Sequence, residues 1–214
     1  SLMDENLKKY SLLNKSNVSR ETCYDFEKFI SMIIEKNREI NIISKETSKS
    51  DIIRIRHIID SAQAFDFVDL KHITTTDLGT GGGFPGIVIA IMLKNVKKKI
   101  NINLYEKSHH KSAFLREVSR KLNLDTEIIQ KDVFGITELK TGTIMARAFR
   151  PLPVILELVY KNFNSYKNLI LFMGKSGKEI LEKTLKKWEL DFEIKKSITS
   201  EDSFLLNITK INKK

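Results

Sequence analysis

The stretch Asp77-Leu78-Gly79-Thr80-Gly81-Gly82-Gly83-Phe84-Pro85-Gly86 compresses a strand end, a glycine loop and a helix start into ten residues. The β-branched run from Ile73 to Thr76 leads into it and reads as a strand. The glycines allow positive φ angles and a close approach of backbone to ligand, which bulkier residues block. Pro85 stands where proline is best tolerated, in the first turn of a helix running through Ile87, Val88, Ile91 and Met92. Backbone N–H groups at that helix start therefore face whatever lies over the loop. A turn with no ligand needs fewer glycines, because each one costs conformational entropy.

Three nucleotide grammars compete for the loop. Residues Gly81 to Gly86 satisfy Gly-x-Gly-x-x-Gly, and Glu106 follows about twenty residues later, as a dinucleotide site requires. Asp77 argues against NAD, since an acid just before the first glycine repels a pyrophosphate. The same acid suits S-adenosylmethionine, whose methionyl end carries a sulfonium and an ammonium and no phosphate. Glu106 ends the next strand, where Ile100, Ile102 and Leu104 alternate with polar residues, and it can accept from both ribose hydroxyls. A P-loop around Gly174-Lys175-Ser176 fails on spacing, because the position that needs glycine is Leu169.

Composition narrows the partners. The 37 Lys and Arg against 27 Asp and Glu leave a net charge of +10, which fits a polyanion, nucleic acid first, although lysine-rich composition alone produces such surfaces. One cysteine, Cys23, excludes an internal disulfide framework, and four scattered histidines show no metal-ligand spacing, so no metal is expected. No apolar run approaches membrane-spanning length and no signal-peptide core is visible near the N-terminus. A cytoplasmic monomer with no membrane partner is the expectation.

The periodicity divides the chain. The first seventy residues hold no glycine or proline and read as helices: a short one marked by Leu7, Tyr10 and Leu13, and a second capped by Ser19 with Cys23, Phe26, Ile30 and Ile33 on one face. A third, from Asp51 to Phe67, carries Ile55, Ile58, Ile59, Ala62 and Phe65 on one side and Arg54, Arg56 and His57 near its start. Strands then alternate with helices near 73–78, 100–106, 126–130, 143–147 and 168–173, and two consecutive strands end the pattern as a hairpin. The expected fold is α/β: a Rossmann-like, mostly parallel seven-stranded sheet of the class I S-adenosylmethionine methyltransferase type, closed by a C-terminal antiparallel hairpin. Residues 1–70 form an N-terminal helical extension and 71–214 the methyltransferase domain.

From Asn41 onward the chain resembles the RsmG family, also called glucose-inhibited division protein B, the bacterial small-subunit ribosomal RNA methyltransferases. The resemblance rests on Asn41-Ile42-Ile43-Ser44, on Arg56-His57-Ile58-Ile59-Asp60-Ser61, and on the loop Asp77 to Gly86 with its Phe-Pro-Gly ending. It continues through Glu106 with Lys111 and Phe114-Leu115, through Asp132-Val133, and through Arg147-Ala148-Phe149. It implies methyl transfer from S-adenosylmethionine to N7 of a guanine in 16S rRNA, with naked RNA or the small subunit as partner. Asp77, Gly79, Gly81, Gly83, Phe84, Glu106 and Arg147 would then border the cofactor, with Asp132 and Val133 on its adenine side. The chain departs from the family pattern at His110, Met173 and Ser203, where basic residues are usual, and Arg150 adds a charge where a small residue is usual.

The residues themselves discriminate among methylation chemistries. Pyrimidine C5 methylation needs a cysteine nucleophile, and Cys23 belongs to an apolar helix stripe. Adenine amino methylation goes with Asp/Asn-Pro-Pro-aromatic after the fourth strand, where this chain has Arg147-Ala148-Phe149-Arg150-Pro151. Ring N7 of guanine has an in-plane lone pair and no proton to lose, so no general base is required. Arg147 is the candidate catalytic residue, donating to guanine O6 or to a phosphate. Phe149 can stack on the base, and Arg56, His57, Lys111, Arg150 and Lys175 can face the RNA, as can Arg54, Lys107, His109 and His110. The competing readings are a non-catalytic RNA-binding ribosome assembly factor that keeps the fold, and a NAD-binding Rossmann protein.

Overall fold

A computed structural model describes residues 1–14, 17–147 and 150–214. Its strands are β1 Thr74–Leu78, β2 Asn101–Tyr105, β3 Thr126–Ile129, β4 Leu139–Lys140, β5 Thr143–Ala146, β6 Phe163–Ser165, β7 Asn168–Met173, β8 Trp188–Lys196 and β9 Phe204–Lys213. Seven of them form one sheet in the order β3-β2-β1-β5-β7-β9-β8. All neighbouring pairs are parallel except the two made by β9. This is the doubly wound sheet with a closing hairpin that the strand spacing predicts. The small parallel pair β4–β6 is an addition, too short to leave a periodic trace in the sequence.

Strand alternation sends side chains to two separate cores. Ile102, Leu104, Met145, Ile170 and Leu205 face the layer built by the N-terminal helices and the Gly86–Asn95 and His109–Lys121 helices. Ile144, Ala146, Leu169, Leu171 and Leu206 face the layer that includes the Leu152–Asn162 helix and Leu181 of the Gly177–Thr184 helix. In the Gly86–Asn95 helix the residues Gly86 through Leu93 are apolar and all buried, because the Arg20–Lys36 helix covers the side turned away from the sheet. Cys23 lies in that cover and is buried. Helix starts follow the sequence: the Ser19 side chain accepts from the Thr22 N–H, and that of Ser108 from the Lys111 N–H. Pro85 is the residue that precedes the first turn of its helix rather than part of it.

The third helix departs from expectation. Residues 50–67 keep a helical path, but Ile53–Ile59 is wound as π-helix between α turns, with a 3-10 turn over Gln63–Phe67. The wider winding rotates the faces that a 3.6-residue period predicts. Ile55 is 39% exposed instead of joining the apolar side, and Arg54 is 2% exposed instead of reaching toward phosphates. Arg54 forks onto Glu27, Nε to Oε2 at 2.9 Å and Nη2 to Oε1 at 2.5 Å, and its Nη1 donates to Asp51 Oδ1 at 2.6 Å. The Tyr10 hydroxyl donates to the same Glu27 carboxylate. A buried guanidinium needs this saturation, since an unpaired charge in the core costs far more than the pair returns.

Candidate active site

Parallel register brings the carboxyl ends of β3, β2, β1 and β5 to one edge of the sheet, and the loop after β1 lies there. Gly83 has φ +108°, and a Cβ on it would stand 2.7 Å from Ile87 Cγ1. A Cβ on Gly86 would meet Leu104 Cδ2 at 2.0 Å and Asp77 Oδ2 at 2.7 Å, so strand and helix touch only because that residue has no side chain. The loop rests on the Asn41–Ser44 segment: Asn37 Oδ1 accepts from the Ile42 and Ile43 N–H groups, and Ile42 Cγ2 lies within 2.9 Å of where a Gly82 Cβ would be.

Two acids flank the loop. Asp77 is fully buried, its Oδ2 accepts from the Gly86 N–H at 2.8 Å, and burial pushes its pKa up to about 8. Glu106 is 9% exposed; Oε1 accepts from the Gly81 N–H at 3.0 Å and Oε2 from the Ser108 N–H at 2.8 Å. The Thr80 N–H donates to the Tyr105 carbonyl, tying loop to strand. Beyond β3, Asp132 is exposed with Oδ1 accepting from the Phe134 N–H, while Val133 is buried beside it. The Thr80 hydroxyl lies against the Asp77 carboxyl, and among the described residues the buried Arg147 Nε has no hydrogen-bond partner. The Glu106 carboxylate with free lone pairs beside the loop fits a hydroxyl-bearing ligand such as S-adenosylmethionine, whose ribose it can accept from.

Arg147 follows Ala146, which pairs with Leu78 just ahead of the loop. Its Nη2 donates to Asp60 Oδ2, and its guanidinium carbon lies 4.7 Å from the centroid of the Phe172 ring. His57 stacks on Phe84 at 4.8 Å, and Phe84 in turn meets Phe29 at 5.5 Å. Burial, then the nearby Arg147 charge, pushes His57 down to about 4, so near neutral pH it offers a flat uncharged ring rather than a cation. Arg56, Arg150 and Lys175 are exposed and Lys111 partly so. Phe149 lies outside the described residues. A cavity of about 510 Å³ opens at the ends of β5 and β7, lined by Arg147, Arg150, Phe172, Met173, Gly174 and Lys175 among others.

The sequence places Asp60 in the Arg56–Ser61 motif but does not reveal its part at the centre of this arrangement. Asp60 carries Arg147 on one oxygen and receives Gln63 and Thr199 on the other, joining segments far apart in the chain. Among the described residues no cluster of three or more metal-ligating side chains exists, and no helix is long and apolar enough to cross a membrane.

The fold is shared with solved structures of low sequence similarity. A methyltransferase from Geobacter sulfurreducens superposes with a TM-score of 0.56 at 14% identity, covering 85% of this chain and 88% of that one. A mutant of MtNAS in complex with S-adenosylmethionine gives 0.56 at 15% identity, covering 89% and 76%. Sheet order, glycine loop and acidic second strand end together define a class I methyltransferase fold. Within that class, residues 22–206 match the GidB family model, described as rRNA small subunit methyltransferase G, and the chain belongs to this family. It is 63% identical over 212 residues to ribosomal RNA small subunit methyltransferase G of Pelagibacter ubique (strain HTCC1062), covering 99% of this chain and all of that one. Identity to the same-named protein of Bartonella henselae is 36% over 208 residues, covering 95% and 94%.

Proposed function

We propose that this protein transfers a methyl group from S-adenosylmethionine to N7 of a guanine in 16S rRNA, acting as a cytoplasmic monomer on the RNA or on the small subunit. The observation that carries the reading is the adjacency of the two-acid glycine loop and Arg147 at one sheet edge, with Arg147 lining a cavity that also holds Arg150 and Lys175. When bound, S-adenosylmethionine supplies an electrophilic methyl group on a sulfonium. Glu106 uses its remaining lone pairs for the ribose hydroxyls, Gly79, Gly81, Gly83 and Phe84 frame the loop, and Asp132 and Val133 border the adenine. Asp77 holds the loop to the helix start. Arg147 donates to guanine O6 or a phosphate while leaving N7 free, so catalysis rests on positioning in a water-poor pocket. Arg56, Lys111, Arg150 and Lys175 track phosphates, Phe149 stacks on the base, and His57 contributes a neutral ring face. In this division residues 71–214 are the methyltransferase domain, and the 1–70 extension delivers His57 and Asp60 to the site.

The test is methylation of RNA carrying 7-deazaguanine at the target. Binding without methyl incorporation is expected, since only the attacking atom is gone. Incorporation at the normal rate overturns the N7 assignment, and absence of any incorporation into unmodified RNA or subunits favours a non-catalytic assembly factor. Thermal stabilisation by NAD but not by S-adenosylmethionine would favour the dinucleotide reading.

A further inference from the structure

Three segments meet at one carboxylate. Asp60 lies in the helical segment 50–67, Arg147 follows β5, and residues 197–199 form the turn that leaves β8. Asp60 Oδ2 accepts from Arg147 Nη2. Oδ1 accepts from Thr199 Oγ1 at 2.7 Å, Gln63 Nε2 at 3.0 Å and Ser197 Oγ at 3.4 Å. Gln63 Oε1 in turn accepts from the Ile198 N–H at 2.8 Å, so the turn is held both by the carboxylate and by its neighbour on the helix.

Oδ1 carries three donors and Oδ2 carries Arg147, so the carboxylate is held at both oxygens. That arrangement describes a fixed anchor. Arg147 has a long stem, and among the described residues its guanidinium is set by this ion pair and the Phe172 ring. We infer that Asp60 is a positioning residue: locked by the 197–199 turn, it holds the Arg147 guanidinium where it addresses the guanine edge. This rests on the reading of Arg147 as the residue that contacts the target base. It also gives the β8–β9 turn a part in turnover, although that turn follows the far edge strand of the sheet.

The test is a double-mutant cycle on RNA methylation, with kcat and KM measured separately. Asp60→Asn keeps the shape and removes the charge; it lowers kcat about ten- to hundredfold while KM for RNA and cofactor affinity change by less than about threefold. Thr199→Val removes only the donor from the turn and lowers kcat in the same direction by about three- to tenfold, and it carries the decision if Asp60→Asn does not fold. In an Arg147→Ala background neither substitution costs anything further, because the residue they position is gone. Full turnover by both Asp60→Asn and Thr199→Val while Arg147→Ala is impaired overturns the inference alone, as do losses that multiply in the double variants. Full turnover by Arg147→Ala itself defeats the reading beneath it and takes the inference with it.

Discussion

Replacing Glu106 measures the cofactor site most directly. A carboxylate offers about four lone-pair sites. The structure assigns one on each oxygen to a backbone donor, Gly81 N–H at 3.0 Å and Ser108 N–H at 2.8 Å, which leaves one on each for the two ribose hydroxyls. Hydrogen bonds to a charged acceptor are worth about 1.5–3 kcal/mol, and the released hydroxyls recover part of this from water. Glu106→Ala is therefore expected to weaken S-adenosylmethionine by about ten- to hundredfold. Both backbone donors are only part-buried, so water replaces their lost acceptor and the unliganded protein loses only about 1 kcal/mol. Glu106→Gln keeps the shape but sets an amide donor against one of those N–H groups, and falls between wild type and alanine. Isothermal calorimetry with S-adenosylmethionine and with S-adenosylhomocysteine reads the effect. Both ligands share the ribose, so both must weaken by the same factor. Unchanged affinity in a folded variant refutes the role, and a loss confined to the sulfonium form refutes the ribose contact in favour of simple charge attraction.

Asp77 and His57 give a pH signature of opposite signs. Asp77, raised to about 8, keeps its proton in the folded state while the unfolded chain has lost it, so its contribution to stability falls as pH rises from about 4 to 8. His57, lowered to about 4, stays neutral while the unfolded chain takes up a proton, so its contribution falls as pH drops below about 6.5. Denaturant midpoints of the unliganded protein should therefore show Asp77→Asn gaining on wild type between pH 6.5 and 8, and a constant difference would contradict the buried, protonated acid. Arg54→Ala is expected to destabilise by about 3–5 kcal/mol by stranding Glu27, whereas exposed Arg56→Ala shifts stability by no more than about 0.5 kcal/mol and lowers RNA affinity instead. Urea unfolding alongside RNA binding separates the two neighbours. RNA affinity should fall steeply with salt as counterions leave the phosphates while cofactor affinity stays flat, and a flat RNA curve would remove the basic surface from the mechanism.

The parts of the site visible in the sequence are those whose partners are local or repeat with strand period. The loop, Glu106 at the end of β2 and Arg147 at the end of β5 each follow a readable strand, so their shared edge follows from parallel order. Asp60 does not announce itself, because its partners Arg147 and Thr199 lie 87 and 139 residues away and no local pattern encodes a contact that distant. A 3.6-residue period laid over the segment puts Arg54 among the groups that face phosphates, but the segment is π-wound. The winding turns Arg54 into the core, where Glu27 accepts it, and His57 onto Phe84. Apolar spacing was reliable where the helix was regular, as at Phe26, Ile30 and Ile33, all buried.

The position of β9 has a consequence for how this chain is born. β8 is synthesised first but lies at the sheet's edge, joined to it only through β9, which inserts between β7 and β8. Until Phe204–Lys213 has emerged, β7 presents an open row of amide and carbonyl groups, and β8 has nothing to pair with. Such edges invite pairing with other chains, so the nascent protein passes through a window in which self-association competes with completion. The Asn168–Asn207 side-chain pair, formed across β7 and β9 at 2.8 Å, marks the register that closes that window. Ribosome-stalled chains ending before Phe204 should be more prone to aggregate than the completed chain, even with every residue of the cofactor loop already made.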